Sequence, residues 1–279
     1  MSISFQVLGS SSSGNATVLS IEVDGDTRHL LLDAGLGPRT VAERLASCDL
    51  HGIGIDAIVL THADSDHMRS SWRRTLLRHR IPVHVAASHR DEAEGRGVPR
   101  ELLRVFRGAF VPIPGVRFDP VRTPHDDRGS AAFRIECGPS VVGWATDLGR
   151  VDDRLLEHFS GIHALGIESN YDPGLQQASD RPGFLIERIT GGRGHLSNQQ
   201  CLDAVRVLDD RSAGRDGLET VVLLHLSREC NCRDRVRSLW ETTAPGLAGR
   251  MEISWPDRIG PRVRLGGAVA NQEQLGLFG

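Results

Sequence analysis

The sequence predicts an α/β fold built from two mixed sheets covered by helices. Three observations carry this expectation. Short apolar runs rich in Val, Ile and Leu recur from one end of the chain to the other. The first three are separated only by tight turns, before any helical pattern begins. Segments of helical periodicity are then interspersed among the later runs.

ISFQVLG, ATVLSIEV and RHLLLDAG are the three early strands. PRTVAERLASC has helical spacing, with Val41, Leu45 and Cys48 on one face. IDAIVLTH reads as a strand and MRSSWRRTLLRHR as the helix after it. Further strands are expected in IPVHVAAS, VRFDPVRTPH, AAFRIEC, SVVGWATD, HALGIESN and VVLLHLS. Helices are expected at 152–159, 183–190, 197–209 and 232–241. After RVRLGG, at 262–267, the pattern fades. Residues 1–267 therefore read as one folded domain, and 268–279 as a flexible tail.

Composition describes an ordinary globular chain, with 39% hydrophobic and 25% charged residues. There are only 4 Trp and 1 Tyr, so aliphatic side chains must make most of the core. No run of about eighteen apolar residues exists to span a membrane, and no secretory signal opens the chain. The cysteines, Cys48, Cys137, Cys201, Cys230 and Cys232, are odd in number and irregular in spacing, which favours reduced thiols in the cytoplasm. Cys230-x-Cys232 lacks the second pair of a typical zinc site. The net charge of −3 does not mark a nucleic-acid binder, although all 33 cationic residues are arginine. Arginine is the better bidentate partner for phosphate.

Thr61-His62-Ala63-Asp64-Ser65-Asp66-His67 is the most informative stretch. Four potential metal ligands lie within six residues at the end of a strand. In an extended loop His62 and Asp64 point the same way. Asp66 and His67 come where the next helix should begin, and face elsewhere. One loop can thus serve two adjacent cations with a nitrogen and an oxygen each. The alternative is a solvated loop with Asp66 as a helix cap. His125, Asp147, Glu168 and His225 end four other strands, and His195 precedes a helix. Functional groups at strand ends on a rigid sheet are a common enzyme arrangement. His29, His51, His79, His84, His89, His158 and His163 lack such company and read as structural or surface residues.

The 62–67 loop resembles the His-x-His-x-Asp-His signature of the metallo-β-lactamase fold, a four-layer αββα sandwich. LGSSSSGN, LLLDAGL, ATDLG, ESNYD, GHLSN and HLSREC resemble the YycJ/WalJ-type branch, whose members look like 5′→3′ exonucleases of double-stranded DNA. The resemblance runs from about residue 5 to about residue 240. It implies that His62, Asp64 and His125 hold a first divalent metal ion, that Asp66, His67 and His225 hold a second, and that Asp147 bridges both. It implies Asp66, Glu168 and His195 as catalytic residues, with His195 as proton donor and Glu168 polarising it. Asp33 would orient the ligand loop from behind. Ser11, Ser12 and Ser13 could contact phosphate, or simply form a turn.

The chain departs from the family at Asp64, where an imidazole is usual, and at Cys230. An aspartate oxygen shifts preference from zinc toward manganese, iron or magnesium, with manganese favoured. Arg69, Arg73 and Arg80 are expected near one helix face, where they could hold the DNA backbone; a solvated face is the alternative. In the tail, Gln274-Leu275-Gly276-Leu277-Phe278 resembles the peptide by which replication and repair proteins dock on the bacterial sliding clamp. A hydrolase of small or cyclic phosphodiesters, and a clamp-bound adaptor with a degenerate metal site, are the other readings.

Overall fold

In the computed structural model, which describes residues 1–48, 50–212 and 217–266, two seven-stranded sheets lie face to face. In chain order the strands are β1 (Ser2–Gly9), β2 (Ala16–Val23), β3 (Asp26–Leu32), β4 (Ala57–Val59), β5 (Val83–Ala86), β6 (Leu103–Phe106), β7 (Phe110–Ile113), β8 (Val116–Thr123), β9 (Ser130–Cys137), β10 (Ser140–Ala145), β11 (Ala164–Glu168), β12 (Thr220–Leu224), β13 (Met251–Ile253) and β14 (Arg262–Leu265). The first sheet has the order β14-β1-β2-β3-β4-β5-β6, the second β13-β12-β11-β10-β9-β8-β7.

Both sheets are covered on their outer faces, so their inner strands are apolar on both sides. In β3, Leu30 and Leu32 point into the layer between the sheets, while Leu31 points outward. Ala57 and Val59 of β4 face inward and Ile58 outward. Inter-sheet packing depends on Phe118, Phe133 and Trp144, with Phe5 edge-on to Trp144 at 5.6 Å. The helices α1 (Pro38–Ala46) and α2 (Arg73–His79) bury Val41, Leu45 and Leu76 against the first sheet. Next in the chain come α3 (Arg90–Gly95), α4 (Asp153–His158), α5 (Pro173–Gln177), α6 (Gly183–Arg188), α7 (Asn198–Asp210) and α8 (Arg233–Thr243). α4, α7 and α8 cover the second sheet through Leu155, Cys201, Leu202, Val205, Val236 and Trp240. A capping box opens α7: the Ser197 hydroxyl accepts from the Gln200 N–H, and the Gln200 side chain accepts from the Ser197 N–H. The result is an αββα sandwich.

Three local expectations change. Residues 68–80 are not one helix. Arg69 is extended, a 3-10 turn occupies Ser70–Trp72, and Arg80 ends α2 in the left-handed region at φ 52°. Arg69, Arg73 and Arg80 therefore do not share a helix face. Arg69 donates to the Ser13 carbonyl instead, and Arg73 to that of Gly97. Short strands also form where no strong pattern was legible, at β6, β7 and β13. RVRL, the last patterned run of the sequence, becomes β14, paired with β1. Residues 267–279, with the Gln274–Phe278 motif, lie outside the described residues.

Trp144 ties the two sheets together, and its truncation would leave a cavity between them. Trp144→Ala should destabilise the protein by about 3–5 kcal/mol, read as a lower midpoint in urea with little change in slope.

Candidate metal centre

Strand polarity gathers the site. β10, β11 and β12 run parallel, and β8 shares their direction because both β8 and β10 are antiparallel to β9. Their C-terminal ends therefore open on one edge, delivering His125, Asp147, Glu168 and His225 together. The parallel pair β3 and β4 delivers Asp33 and the 61–67 loop from the facing sheet. Asp33, Asp147 and His225 leave their strands at positive φ, 62°, 55° and 56°. Such conformations cost a non-glycine residue of order 1–3 kcal/mol each and persist where the surroundings enforce them.

The donor atoms fall into overlapping groups, each with its atoms within 4.8 Å of one another. His62, Asp64 and His125 form one group, and Asp66, His67 and His225 another. His62, His67 and Asp147 form a third, and Asp147, Glu168, His195 and His225 a fourth. Asp147 thus lies between the first two groups. Its Oδ2 is 3.0 Å from His67 Nε2, without hydrogen-bond geometry. That oxygen and His225 Nε2 are buried with no hydrogen-bond partner among the described residues. Buried polar atoms without partners are uncommon and call for an occupant. Imidazole nitrogens and carboxylate oxygens are the donor set that suits divalent first-row cations, so the residues fit two such ions.

Each histidine is held from behind. Asp33 Oδ2 accepts from His67 Nδ1 at 2.8 Å, and Asp33 is itself fixed by the Thr61 N–H and hydroxyl. His225 Nδ1 lies 2.9 Å from Glu168 Oε1, and His125 Nδ1 lies 3.0 Å from the Gly194 carbonyl. His62 Nδ1 is 3.2 Å from the Thr61 hydroxyl. Every Nδ1 is engaged, which leaves Nε2 of each ring for the centre. Glu168 is fully buried. Its Oε1 also meets His195 Nδ1 at 2.7 Å, and its Oε2 accepts the Leu148 and Leu196 N–H groups. Glu168 therefore positions two imidazoles rather than facing open solvent.

Several contributors were not legible in the sequence. The Ser10 hydroxyl accepts from the His225 N–H and donates to Asn15 Oδ1, while Asn15 Nδ2 lies 3.1 Å from His67 Nε2. The Ser10–Asn15 turn thus braces ligands from both sheets, and Ser11 and Ser13 bond each other. Gly35 packs so closely that a Cβ there would sit 1.6 Å from the Asp66 carbonyl oxygen. His89, expected to be structural, is buried on the wall of the cleft, its ring 6.1 Å from His62. Its signal was absent because the short helical segment 87–95 carries no apolar periodicity. Cys230 sits in a small apolar cluster with Tyr171 and Ile189, and Cys232 precedes α8; neither joins a ligand group. Asn231 pins the site loops by donating to the Ser169 and Asn170 carbonyls.

Electrostatics sorts the histidines. Burial, reinforced by His67, holds His62 well below its ordinary value. For His67, burial is outweighed by Asp33, Asp147 and Asp66, which lift it well above. Burial likewise opposes charge on His225, but Asp147, Asp66 and Glu168 raise it to about 10. His195 is raised against burial by Glu168. For Asp147, burial favours the neutral acid, but His225 and His67 keep it ionised well below the usual range. Burial, Glu92 and Asp66 push Asp64 upward. Without cations, imidazolium groups supply the positive charge that the carboxylates need.

The centre floors a cleft of about 770 Å³ walled by His62, Asp64 and His125 and, across from them, by exposed Phe184, Arg188 and Arg193. Two measurements test this account. Asp33→Asn should weaken metal affinity by about 10–100-fold in a chelator competition, because His67 loses its fixed tautomer. In chelator-treated protein, stability from a raised His225 is complete below its unfolded value of about 6.5 and lost as pH climbs. Tm should therefore fall from about pH 7 to about pH 10, and added Mn²⁺ should reverse that slope, since ligating imidazoles must be neutral. A chelated Tm that rises across this window contradicts the assignment.

Comparison with known proteins gives the family and the fold. Residues 28–225 match the beta-lactamase superfamily domain. Exodeoxyribonuclease YycJ of Bacillus anthracis is 26% identical over 241 residues, 85% of this chain and 87% of that protein. Exodeoxyribonuclease WalJ of Streptococcus pneumoniae is 25% identical over 238 residues, 82% of this chain and 84% of that one. The crystal structure of the metallo-beta-lactamase fold protein YhfI from Bacillus subtilis aligns with a TM-score of 0.67 at 17% identity, covering 95% of this chain and 100% of its own. With a family match over most of its length and an αββα sandwich to accompany it, the chain belongs to the beta-lactamase superfamily and has the metallo-β-lactamase fold.

Proposed function

We propose that this chain is a metal-dependent phosphodiester hydrolase, and specifically a 5′→3′ exonuclease of double-stranded DNA in cytoplasmic replication or repair. The observation that carries the reading is the meeting of two histidine–carboxylate groups at Asp147, with the Glu168-held His195 beside them. The two exodeoxyribonuclease relatives support DNA as the substrate; the polarity rests on family resemblance.

In this reading His62, Asp64 and His125 would hold one divalent cation and Asp66, His67 and His225 the other, with Asp147 as the ligand the two groups would share. Manganese is favoured because Asp64 adds a hard oxygen, with iron, magnesium and zinc as alternatives. When bound, the two cations supply the positive charge that activates water and offsets the charge on the phosphoryl group. His195 carries the proton for the departing oxygen. Its Nδ1 is engaged by Glu168, so Nε2 is the donor, and the Glu168 carboxylate raises its proton affinity against the cost of burial. Asp66, part-exposed at the centre, would orient the attacking water. Glu168 acts by holding His195 and His225 in register.

Arg69, Arg73 and Arg80 remain candidate phosphate contacts, as separate surface cations rather than one face. Arg69 donates to the Ser13 carbonyl of the Ser11–Ser13 turn. Residues 274–278 would place Leu275, Leu277 and Phe278 in an apolar pocket of a sliding clamp, with Gln274 as polar contact. Tethering of this kind raises enzyme concentration at DNA without altering the chemistry.

The test is digestion of linear duplex DNA, labelled at either end, with Mn²⁺. His195→Ala should lower kcat by about 100- to 10,000-fold, and Asp147→Ala should abolish turnover. Full activity of His195→Ala at saturating metal removes it as proton donor. Absence of end-directed release by the unmodified protein with all four metals removes the exonuclease reading.

A further inference from the structure

We propose that a pocket ringed by arginines, next to the metal cleft, is a binding site for backbone phosphates of the DNA substrate. The proposal deepens the nuclease reading and rests on it. The pocket has a volume of about 280 Å³ and opens where the first sheet meets the second. Arg107 reaches it from the end of β6, Arg122 from β8, Arg128 from the turn before β9, and Arg154 from α4. Among the described residues, no carboxylate lines it.

Four arginines lining one pocket, with one of them in an ion pair to a described acid, stand out in a chain of net charge −3. Elsewhere around the cleft the arginines are neutralised in pairs: Arg188 by Asp126 at 2.6 Å and Arg193 by Asp127 at 2.9 Å. In the pocket only Arg128 is so paired, with Glu92 at 2.8 Å. Arg122 spends Nε and Nη2 on the carbonyls of Arg128 and Asp127, which orients its plane without an ion pair. Arg107 and Arg154 are exposed, and their guanidinium groups have no hydrogen bond or ion pair with any described residue. Folding does not account for their presence. An arginine fork matches two oxygens of a phosphate, and such an array suits a polyanion.

Position selects the polyanion. His89, Arg128 and Gly129 line both this pocket and the cleft that contains His62, Asp64 and His125. A strand whose scissile phosphate lies at the metal centre can lay neighbouring phosphates in the pocket without a break. An isolated small phosphodiester would reach only the centre. None of Arg69, Arg73 and Arg80 lines either cavity.

The experiment is a salt titration of the affinity of the full chain, with Mn²⁺, for a fluorescent duplex protected by phosphorothioate linkages. In the double variant Arg107→Ala/Arg154→Ala the slope of log K against log salt should shrink by about 2, and low-salt affinity should fall about tenfold or more. Arg39→Ala removes an exposed charge on α1, outside the pocket, and should leave the slope unchanged. Arg107→Lys/Arg154→Lys should restore the slope but not the full affinity, since the charge returns without the fork. Both residues are exposed, so circular dichroism and Tm of the double variant should match the unmodified protein. If the unmodified protein binds duplex and the double variant binds it with equal slope and affinity, the pocket is not a phosphate site. If the unmodified protein binds no duplex at all, the nuclease reading falls, and this proposal with it.

Discussion

The centre depends on buried carboxylates that grip imidazole Nδ1 atoms from behind. Asp33 holds His67, and Glu168 holds both His225 and His195. An ionised carboxylate in the interior is costly unless it is paired and hydrogen-bonded. Both conditions hold here: Asp33 takes the Thr61 N–H and hydroxyl, and Glu168 takes the Leu148 and Leu196 N–H groups. Removing either acid would free a ring and also leave backbone donors unsatisfied. The same bonds determine which nitrogen of each ring faces the cleft, so the donor set is organised before any cation arrives.

The two sheets meet this requirement from opposite sides. The first supplies Asp33 and the 61–67 loop; the second supplies His125, Asp147, Glu168 and His225. Their relative position is carried by the aromatic layer of Phe118, Phe133 and Trp144. The Ser10–Asn15 turn then stitches across the seam, bonding His225 on one side and the Asp66–His67 segment on the other. Backbone strain at Asp33, Asp147 and His225 falls at strand ends that enter the centre, where dense hydrogen bonding can sustain it.

Charge on the surface is arranged locally rather than globally. A net charge of −3 conceals a centre of paired acids and imidazoles beside a pocket of arginines. Acid–base pairs such as Arg188–Asp126 neutralise much of the rim between them. A composition average cannot reveal such a distribution, because it sums groups that lie far apart in space.

How much was legible follows from the range of the interactions involved. The layered α/β class, the long strands and helices α1, α4, α7 and α8 were readable because burial imposes period on local sequence. The clustering of His62, Asp64, Asp66 and His67 was readable because one loop carries all four. Placing His125, Asp147, Glu168, His195 and His225 beside them drew on motif resemblance, since no local pattern links residues a hundred positions apart. The 68–80 segment misled because its apolar spacing is helical, whereas Arg69 is held extended by Ser13 and Arg80 ends the helix in the left-handed region. The bracing by Ser10 and Asn15, the place of His89 on the cleft wall and the convergence of Arg107, Arg122, Arg128 and Arg154 were invisible. By itself, then, the sequence determined the layered class and the residue types of the metal loop, because both are written in short-range periodicity and spacing. Only the tertiary structure decided which ring nitrogens face the centre, that Glu168 stands behind His225 as well as His195, and where unpaired arginines gather, because those depend on the register of two sheets brought face to face.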